Sequence, residues 1–409
     1  MSVDPEKPLA KPLEIRGHPV DPGAERQIRR CLEDPEAASG ALCADHHLGY
    51  SMPIGGVIAY RRAVSPSGVG YDIACGNKAV RTNLSASAVR AGIVPLMDEI
   101  FQKLEFGMGR RNPEPVDHAL FDDPAWRSVS PLAPLKDLAR SQLGTIGSGN
   151  HYVDLFEDEE GVLWVGVHFG SRGFGHKLCT GFLNLAKGRS FADRPRGEDM
   201  NAPATVFPLD TPLGSDYMAA MTLAGRYAYA GRDYVCTRIL EILGARAGDS
   251  VHNHHNFAWE EEHGGERFLV VRKGATPAWP GQRSFIGGTM GGISVIAEGV
   301  DTPGARRLLR STVHGAGRVM SRTAAAGRKR WRGGRMIRKG GRFTRQEMNA
   351  TMKSLNICLR GADTDEDPRC YKKLEDVLAR HDDALKVLTV LHPIGVAMAG
   401  ADVRDDFRD

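Results

Sequence analysis

The stretch Val162-Leu-Trp-Val-Gly-Val-His-Phe-Gly-Ser-Arg-Gly173 changes character within one short span. Val162 to Val167 is a continuous apolar run, rich in branched side chains and too short for a buried helix, so it reads as a buried strand. It ends at His168, and the chain then opens into Phe169-Gly-Ser-Arg-Gly173. A side chain able to bind a metal thus stands where a strand gives way to a glycine loop. Outward from this point the elements alternate in type. Arg267 to Val271 is a second apolar run, ending at Arg272-Lys273-Gly274. Asp216 to Leu243 is long and Ala-rich with aromatics at helical spacing, and is predicted as helix. Ala88 to Leu104 reads as helix broken or restarted at Pro95, and Lys372 to Leu391 as a further helix. Strands and helices mix without a regular βαβ rhythm, which makes α+β the fold class.

A chain of 409 residues is long enough for a large core. Its 41% hydrophobic and 25% charged content is that of an ordinary globular protein. The net charge of +4 names no partner by itself. No stretch approaches the roughly 18 apolar residues of a membrane span, and Met1 to Leu13 lacks the apolar segment of a secretory signal. The expectation is therefore a cytoplasmic protein with a flexible tail over residues 1–13 and one catalytic domain over 14–409. The seven cysteines are scattered, odd in number and without a CxxC pair, so neither a disulfide framework nor a zinc-finger-like site is expected.

Glycine is abundant, at 48 residues, and it clusters at Gly49 to Gly76, Gly144 to Gly149, Gly170 to Gly175, Gly287 to Gly292 and Gly315 to Gly317. Such clusters suggest loops that converge on one site. Side chains able to bind metal lie in or beside them. Asp72 and Cys75 share Gly68-Val-Gly-Tyr-Asp-Ile-Ala-Cys-Gly76. His151 follows Gly144-Thr-Ile-Gly-Ser-Gly-Asn150, and His255 sits in His252-Asn-His-His-Asn256. Imidazole, carboxylate and thiolate together suit a borderline divalent ion such as Mn²⁺, Zn²⁺ or Fe²⁺. From spacing alone each residue reads as structural sooner than ligating, since no compact motif such as HExxH joins them.

Two glycine loops, Gly287-Gly-Thr-Met-Gly-Gly292 and His314-Gly-Ala-Gly-Arg318, can present backbone N–H groups to phosphate. The second begins with an imidazole able to form a phosphoramidate and ends with an arginine able to neutralise developing charge. Arg328 to Arg342 holds eight basic residues in fifteen, no acidic one, and Trp331. That composition suits a polyphosphate backbone as well as it suits a solvated loop.

Taken in order, these blocks resemble the RtcB family of RNA ligases from about Ala44 to Gly400. Asp45-His-His-Leu-Gly49, Pro53-Ile-Gly-Gly56 and Gly68 to Gly76 come first. Gln142 to His151, His168 to Gly173, His255-Asn256, Arg272 to Thr276, Gly288 to Gly291 and His314 to Arg318 follow. The resemblance implies a single large domain of packed β-sheets flanked by helices around a central metal-binding cleft. It implies two Mn²⁺ ions held by Asp72, Cys75, His151, His168 and His255, with Cys75 as a bridging thiolate. It implies GTP as co-substrate and His314 as the nucleophile that takes up GMP. Asn150, Asp154, Asn256, Gly288, Thr289, Met290, Ser294, Gly315, Ala316, Gly317 and Tyr371 match nucleotide-binding positions. Arg172 and Arg318 match positions that hold RNA or nucleotide phosphates. The substrate implied is RNA with a 3′-phosphate or 2′,3′-cyclic phosphate end and a 5′-hydroxyl end, joined by a monomer. Whether an activating partner protein takes part stays open.

The chain also departs from the family pattern. Met398, in Pro393-Ile-Gly-Val-Ala-Met-Ala-Gly400, stands where a lysine contacting GMP is usual, and Asp154 where a glutamate reads guanine. Gly287 replaces a proline, Thr289 a serine and Gly231 an asparagine, and Pro277 stands where arginine is common. Two rival readings accompany the ligase. One is an enzyme that only caps RNA 3′-phosphates or opens cyclic phosphates. The other is a non-catalytic clamp for RNA ends, which would need no histidine nucleophile.

Overall fold

The computed structural model describes residues 10–194, 199–332 and 335–401, without the side chains of 329–337. Its larger sheet runs, in spatial order, Arg283–Ile286, Ser294–Gly299, Leu385–Met398, Tyr152–Glu157, Val162–Phe169, Gly76–Ser85 and Ala247–His254. Neighbours along this path are antiparallel, and Cys358–Gly361 adds a parallel strand beside the end of Leu385–Met398. The two outer strands approach each other. Phe285 donates its N–H to Asn253 Oδ1 at 3.0 Å and accepts from Asn77 Nδ2 at 2.8 Å, so the sheet nearly closes. The second sheet has the order Leu13–Ile15, Ala37–His47, Ile54–Tyr60, Glu266–Lys273, Asn256–His263. The chain crosses between sheets at one residue: Ala247–His254 ends in the first, Asn256–His263 begins in the second, and His255 lies at the crossing.

The helix Pro212–Leu243 connects the cores. Thr211 caps it by accepting from Gly214 N–H, Pro212 fills its first position, and Gly244 closes it at φ 60°. Ala220, Ala224 and Tyr227 pack in the core beneath the smaller sheet, while Val235, Cys236 and Ile239 pack beneath the larger one. Burying Val235 and Ile239 completely contributes about 2 kcal/mol each. The α+β expectation holds, in one large domain. The predicted strands appear as Val162–Phe169 and Glu266–Lys273, and the long helix starts a turn earlier than expected. The region 88–104 forms two helices, Ala86–Arg90 and Ile93–Lys103. The break falls at Ala91–Gly92, and Pro95 sits in the tolerant first turn of the second helix.

The predicted helix Lys372 to Leu391 is corrected. Only Leu374–Leu378 is helical, and Leu385–Met398 is a strand. Val387, Thr389 and Val390 are β-branched, and Ser294–Gly299 pairs along the first half of the strand while Tyr152–Glu157 pairs along the second. A sheet slot of this kind overrides a helical pattern. Part of the expected tail, residues 1–9, lies outside the described residues. Pro12 accepts from Gly40 N–H at 3.0 Å, and Leu13 pairs with Gly40 in the sheet. All seven cysteines are free thiols. Among the described residues, no helix is long and apolar enough to cross a membrane.

Candidate active site

The five glycine clusters do converge. Between the two sheets lies a cleft of about 270 Å³, lined from the loops around Asp72, His151, Gly287 and His314. Gly170 of the remaining cluster backs onto Asp72 so closely that a Cβ there would lie 2.2 Å from the carboxylate. Every residue assigned to the site from the sequence lines this cleft, with two exceptions. Ser294 lies behind the wall, where its Oγ accepts from Gly288 N–H at 2.9 Å. Arg172 stands behind His151, with its guanidinium 3.1 Å from His151 Nδ1.

At the floor, one ligand atom from each of Cys75, His151 and His168 lies within 4.8 Å of the others. Cys75 Sγ is 3.6 Å from both His151 Nε2 and His168 Nε2. Asp72 Oδ2 lies 3.0 Å from His151 Nε2, and the His255 ring stacks on His168 at 5.1 Å. The five residues expected as ligands are thus contiguous. Their positions follow from local bonding. Cys75 N–H donates to Asp72 O, His255 N–H to Cys75 O at 2.8 Å, and Ala74 N–H to Asn256 O at 2.7 Å, which stitches the Cys75 loop to the sheet crossing. The cross-strand register puts Asn77 opposite His168, and Asn77 Oδ1 bonds His168 Nδ1. With the Nδ1 proton held there, the Nε2 lone pair faces the cleft, the tautomer a metal needs.

Electrostatics agree with a cation site. Burial, then the neighbouring Asp72, push the Cys75 thiol well above its ordinary value. Burial holds His168 and His255 well below theirs, with the neighbouring imidazoles adding to it. Burial acts to raise Asp72, but hydrogen bonding and charge from His151, with Arg172 behind, more than offset it and keep it a carboxylate. Imidazoles, one carboxylate and one thiol that a divalent ion would deprotonate form a suitable donor set. His255 Nδ1 is buried without a hydrogen-bond partner, a further sign that this cluster is incomplete as protein alone.

His314 stands beside this cluster, its ring 4.8 Å from His255. The buried Asp45 carboxylate accepts from His314 Nδ1 at 2.6 Å, from His314 N–H at 3.0 Å and from Gly315 N–H at 3.3 Å. Burial pushes Asp45 up, but the His314 contacts more than offset this and hold it below its ordinary value. Gly317 completes the turn at φ 74°, where a Cβ would lie 2.1 Å from Asp45 O. The opposite wall is apolar: Tyr152, Met290, Val396 and Met398 pack together. Among them Asp154 is buried with Oδ1 unpartnered, and burial pushes its carboxyl well up.

Residues 27–127 and 125–399 match the family described as tRNA-splicing ligase RtcB. The chain belongs to the RtcB family. It is 29% identical to the RNA-splicing ligase RtcB of Escherichia coli K12, with 93% of this chain and 95% of that protein covered. It is 30% identical to the tRNA-splicing ligase RtcB of Archaeoglobus fulgidus and 31% identical to that of Thermococcus kodakarensis, each with 86% of both chains covered.

Within this RtcB chain, sequence reasoning missed several residues that shape the site. Asp45 appeared only as part of a block, although it orients His314. Arg232, fully buried on the long helix, donates to Ala74 O at 3.1 Å and Phe169 O at 2.6 Å. The first carbonyl immediately precedes Cys75 and the second follows His168, so one guanidinium clamps both segments that carry these candidate ligands. Arg318, expected to hold phosphates, lines the cleft but is engaged by Tyr371 Oη at 2.7 Å, Asp365 O at 2.7 Å and Glu366 at 3.4 Å. Arg322 and Glu366 also line the cleft. Nothing in local sequence pattern marks these pairs, because their partners lie tens of residues away.

Proposed function

We propose that this chain is an RNA ligase joining a 3′-phosphate or 2′,3′-cyclic phosphate end to a 5′-hydroxyl end through a nucleotide carried on His314. The observation that carries the reading is His314 with its Nδ1 tied to buried Asp45, one ring away from the Cys75, His151, His168 and His255 group. With Nδ1 protonated, the Nε2 lone pair is available to phosphorus. His314 Nε2 attacks the α-phosphorus of GTP, the bond to the bridging oxygen breaks, and pyrophosphate leaves. An RNA 3′-phosphate oxygen then takes the GMP from nitrogen, and His314 regains its lone pair. The 5′-hydroxyl oxygen attacks that activated 3′-phosphate, loses its proton, and GMP departs. A cyclic phosphate is first opened by water.

Asp72, Cys75, His151, His168 and His255 fit two Mn²⁺ ions, which would supply charge neutralisation for attacking and leaving oxygens. The chain's own part is orientation. Asp45 sets the imidazole, the Gly315–Gly317 turn offers backbone N–H groups, and the Met290 and Met398 wall excludes water from the base end. Asn150, Asp154, Asn256, Gly288, Thr289 and Tyr371 surround the same space and are assigned to the nucleotide. We assign the enzyme to the cytoplasm, acting as a monomer.

A second reading, in which the enzyme stops at a nucleotide-capped or opened 3′ end, is favoured by the base end itself. Met398 supplies no charge there, and burial pushes the Asp154 carboxyl well above its ordinary range. One experiment separates the two. Protein is incubated with Mn²⁺ and α-labelled GTP, or each other NTP, and then with RNA carrying the required ends. Label on His314, absent in H314A, together with joined RNA supports the ligase. Label without joined RNA supports capping. No label with any nucleotide, in protein that binds Mn²⁺, rejects the ligase and capping alike, and loss of the 2′,3′-cyclic end without label then identifies an enzyme that only opens it.

A further inference from the structure

One sequence feature is left unused by the cleft: the basic run that begins at Arg328. It forms a two-stranded antiparallel pair, Arg328–Arg332 with Arg335–Lys339, and among the described residues neither strand pairs with another sheet. Its register is Arg328 with Lys339, Arg330 with Ile337 and Arg332 with Arg335 on one face. On the other face Lys329 pairs with Arg338 and Trp331 with Met336. Side chains alternate across a strand, so positions 328, 330, 332, 335 and 339, all cationic, share a face with one isoleucine. Arg338, on the other face, reaches back to the body through Thr364 Oγ1 at 2.9 Å and Asp363 Oδ2 at 2.5 Å. Arg328 and Lys339, which pair at the described end of the cationic face, are both exposed.

The strand pair is tied to the cleft at both points of attachment. Arg328 follows Arg322, which lines the cleft, by one short helix, Arg322–Ala326. Asp363 and Thr364 lead directly through a single helical turn to Glu366, which also lines it. Charge distribution is equally uneven. The run carries eight cations in a chain of net charge +4, so the rest of the molecule is net negative. A polyanion approaching this protein is steered to the arm, and a low-charge partner is not.

We propose that the strand pair within Arg328–Lys339 is a cationic arm that holds the sugar–phosphate backbone of an RNA strand as its end enters the cleft. Cations at every second residue repeat at about 6.8 Å along a strand, a spacing comparable to that of successive phosphates in an extended single strand. Arginine suits the task because its guanidinium stays charged and matches phosphate oxygens in pairs. The arm reads backbone and not base sequence, so it serves different RNAs alike. The assignment of RNA rests on the ligase reading above, but its test does not.

The test compares wild type with R328S/R330S/R332S/R335S/K339S, which keeps the Arg338 anchor, and with a charge-preserving R328K/R330K/R332K/R335K variant. Binding of a fluorescent single-stranded RNA ending in a 3′-phosphate is followed across a salt series, beside labelling of His314 without RNA. The serine variant is expected to bind roughly 10- to 100-fold more weakly at low salt, and its log–log salt slope to flatten by about 3, at about 0.7 per lost phosphate contact. The lysine variant should keep the slope, and labelling should persist in both. Unchanged affinity and slope in the serine variant overturn the proposal. So does an equal loss in the lysine variant, which would make charge irrelevant. So does intact RNA binding with lost adsorption to phosphatidylserine vesicles, which would make the arm a lipid contact. If wild type takes no label from any nucleotide while the serine variant still loses slope, the ligase reading fails and the arm stands.

Discussion

Asp45 holds His314 through three contacts to one carboxylate oxygen. An asparagine at this position can keep an oxygen there but loses the charge, which lowers a charge-assisted bond toward a neutral one. D45N is expected to slow labelling of His314 by roughly 10- to 100-fold with little change in melting temperature, a difference of about 1.5–3 kcal/mol. An unchanged labelling rate would show that the carboxylate is only a turn-former. Arg232 acts one shell further out. R232M removes the guanidinium that donates to the buried Phe169 carbonyl and leaves Ala74 O with His254 Nδ1 alone, at a cost of about 2–4 kcal/mol. Calorimetric Mn²⁺ titration of that variant should give an affinity lower by roughly 10- to 100-fold. Wild-type affinity in a destabilised R232M protein would confine Arg232 to folding.

At the scale of elements, two caps and turns behave differently because of what they carry. Thr211 caps the long helix far from the cleft, so T211A should cost about 1 kcal/mol in urea unfolding and leave labelling intact. Gly317 lies in the His314 turn at φ 74°, with Asp45 O in the way of any Cβ. G317A should cost about 1–3 kcal/mol and remove most labelling, since the turn must shift away from Asp45. If G317A labels normally, the turn does not set the position of His314. The contrast rests on stiffness. A helix of this length spreads the loss of one cap along its packed face, whereas a tight turn has no neighbour to share the displacement.

For the whole molecule, the buried His381 makes stability depend on pH. It is fully buried, accepts from Ala44 N–H at Nε2, and burial pulls it down to about 4. Its unfolded value is near 6.5. Between these values the unfolded chain binds a proton that the folded chain does not. The contribution is thus complete above about pH 6.5 and is lost as pH falls toward 4, by about 3 kcal/mol in all. Urea unfolding from pH 7 to 4 should show this fall, and H381Q, which cannot titrate, should show a shallower one. Parallel slopes in the two proteins would place the acid sensitivity elsewhere.

The family resemblance picked out the candidate ligand set and His314; residue types and their order alone were enough for the strand into His168, the glycine loops beside possible metal donors and the long helix. Each of these depends on local chemistry: a run of branched residues, glycines beside donors, aromatics at helical spacing. The tertiary structure alone decided the rest. Leu385 to Met398 became a strand because two strands pair along it, which no periodicity within it records. Arg318 became a strut for Glu366 and Tyr371, and Asp45 the keeper of His314, through contacts with partners far along the chain. His255 is a ligand candidate by type, but its place at the crossing of two sheets is what brings it against both His168 and His314. Local sequence specifies which groups are present and how each segment prefers to bend. Which groups meet is settled by the packing of segments that are distant in the chain.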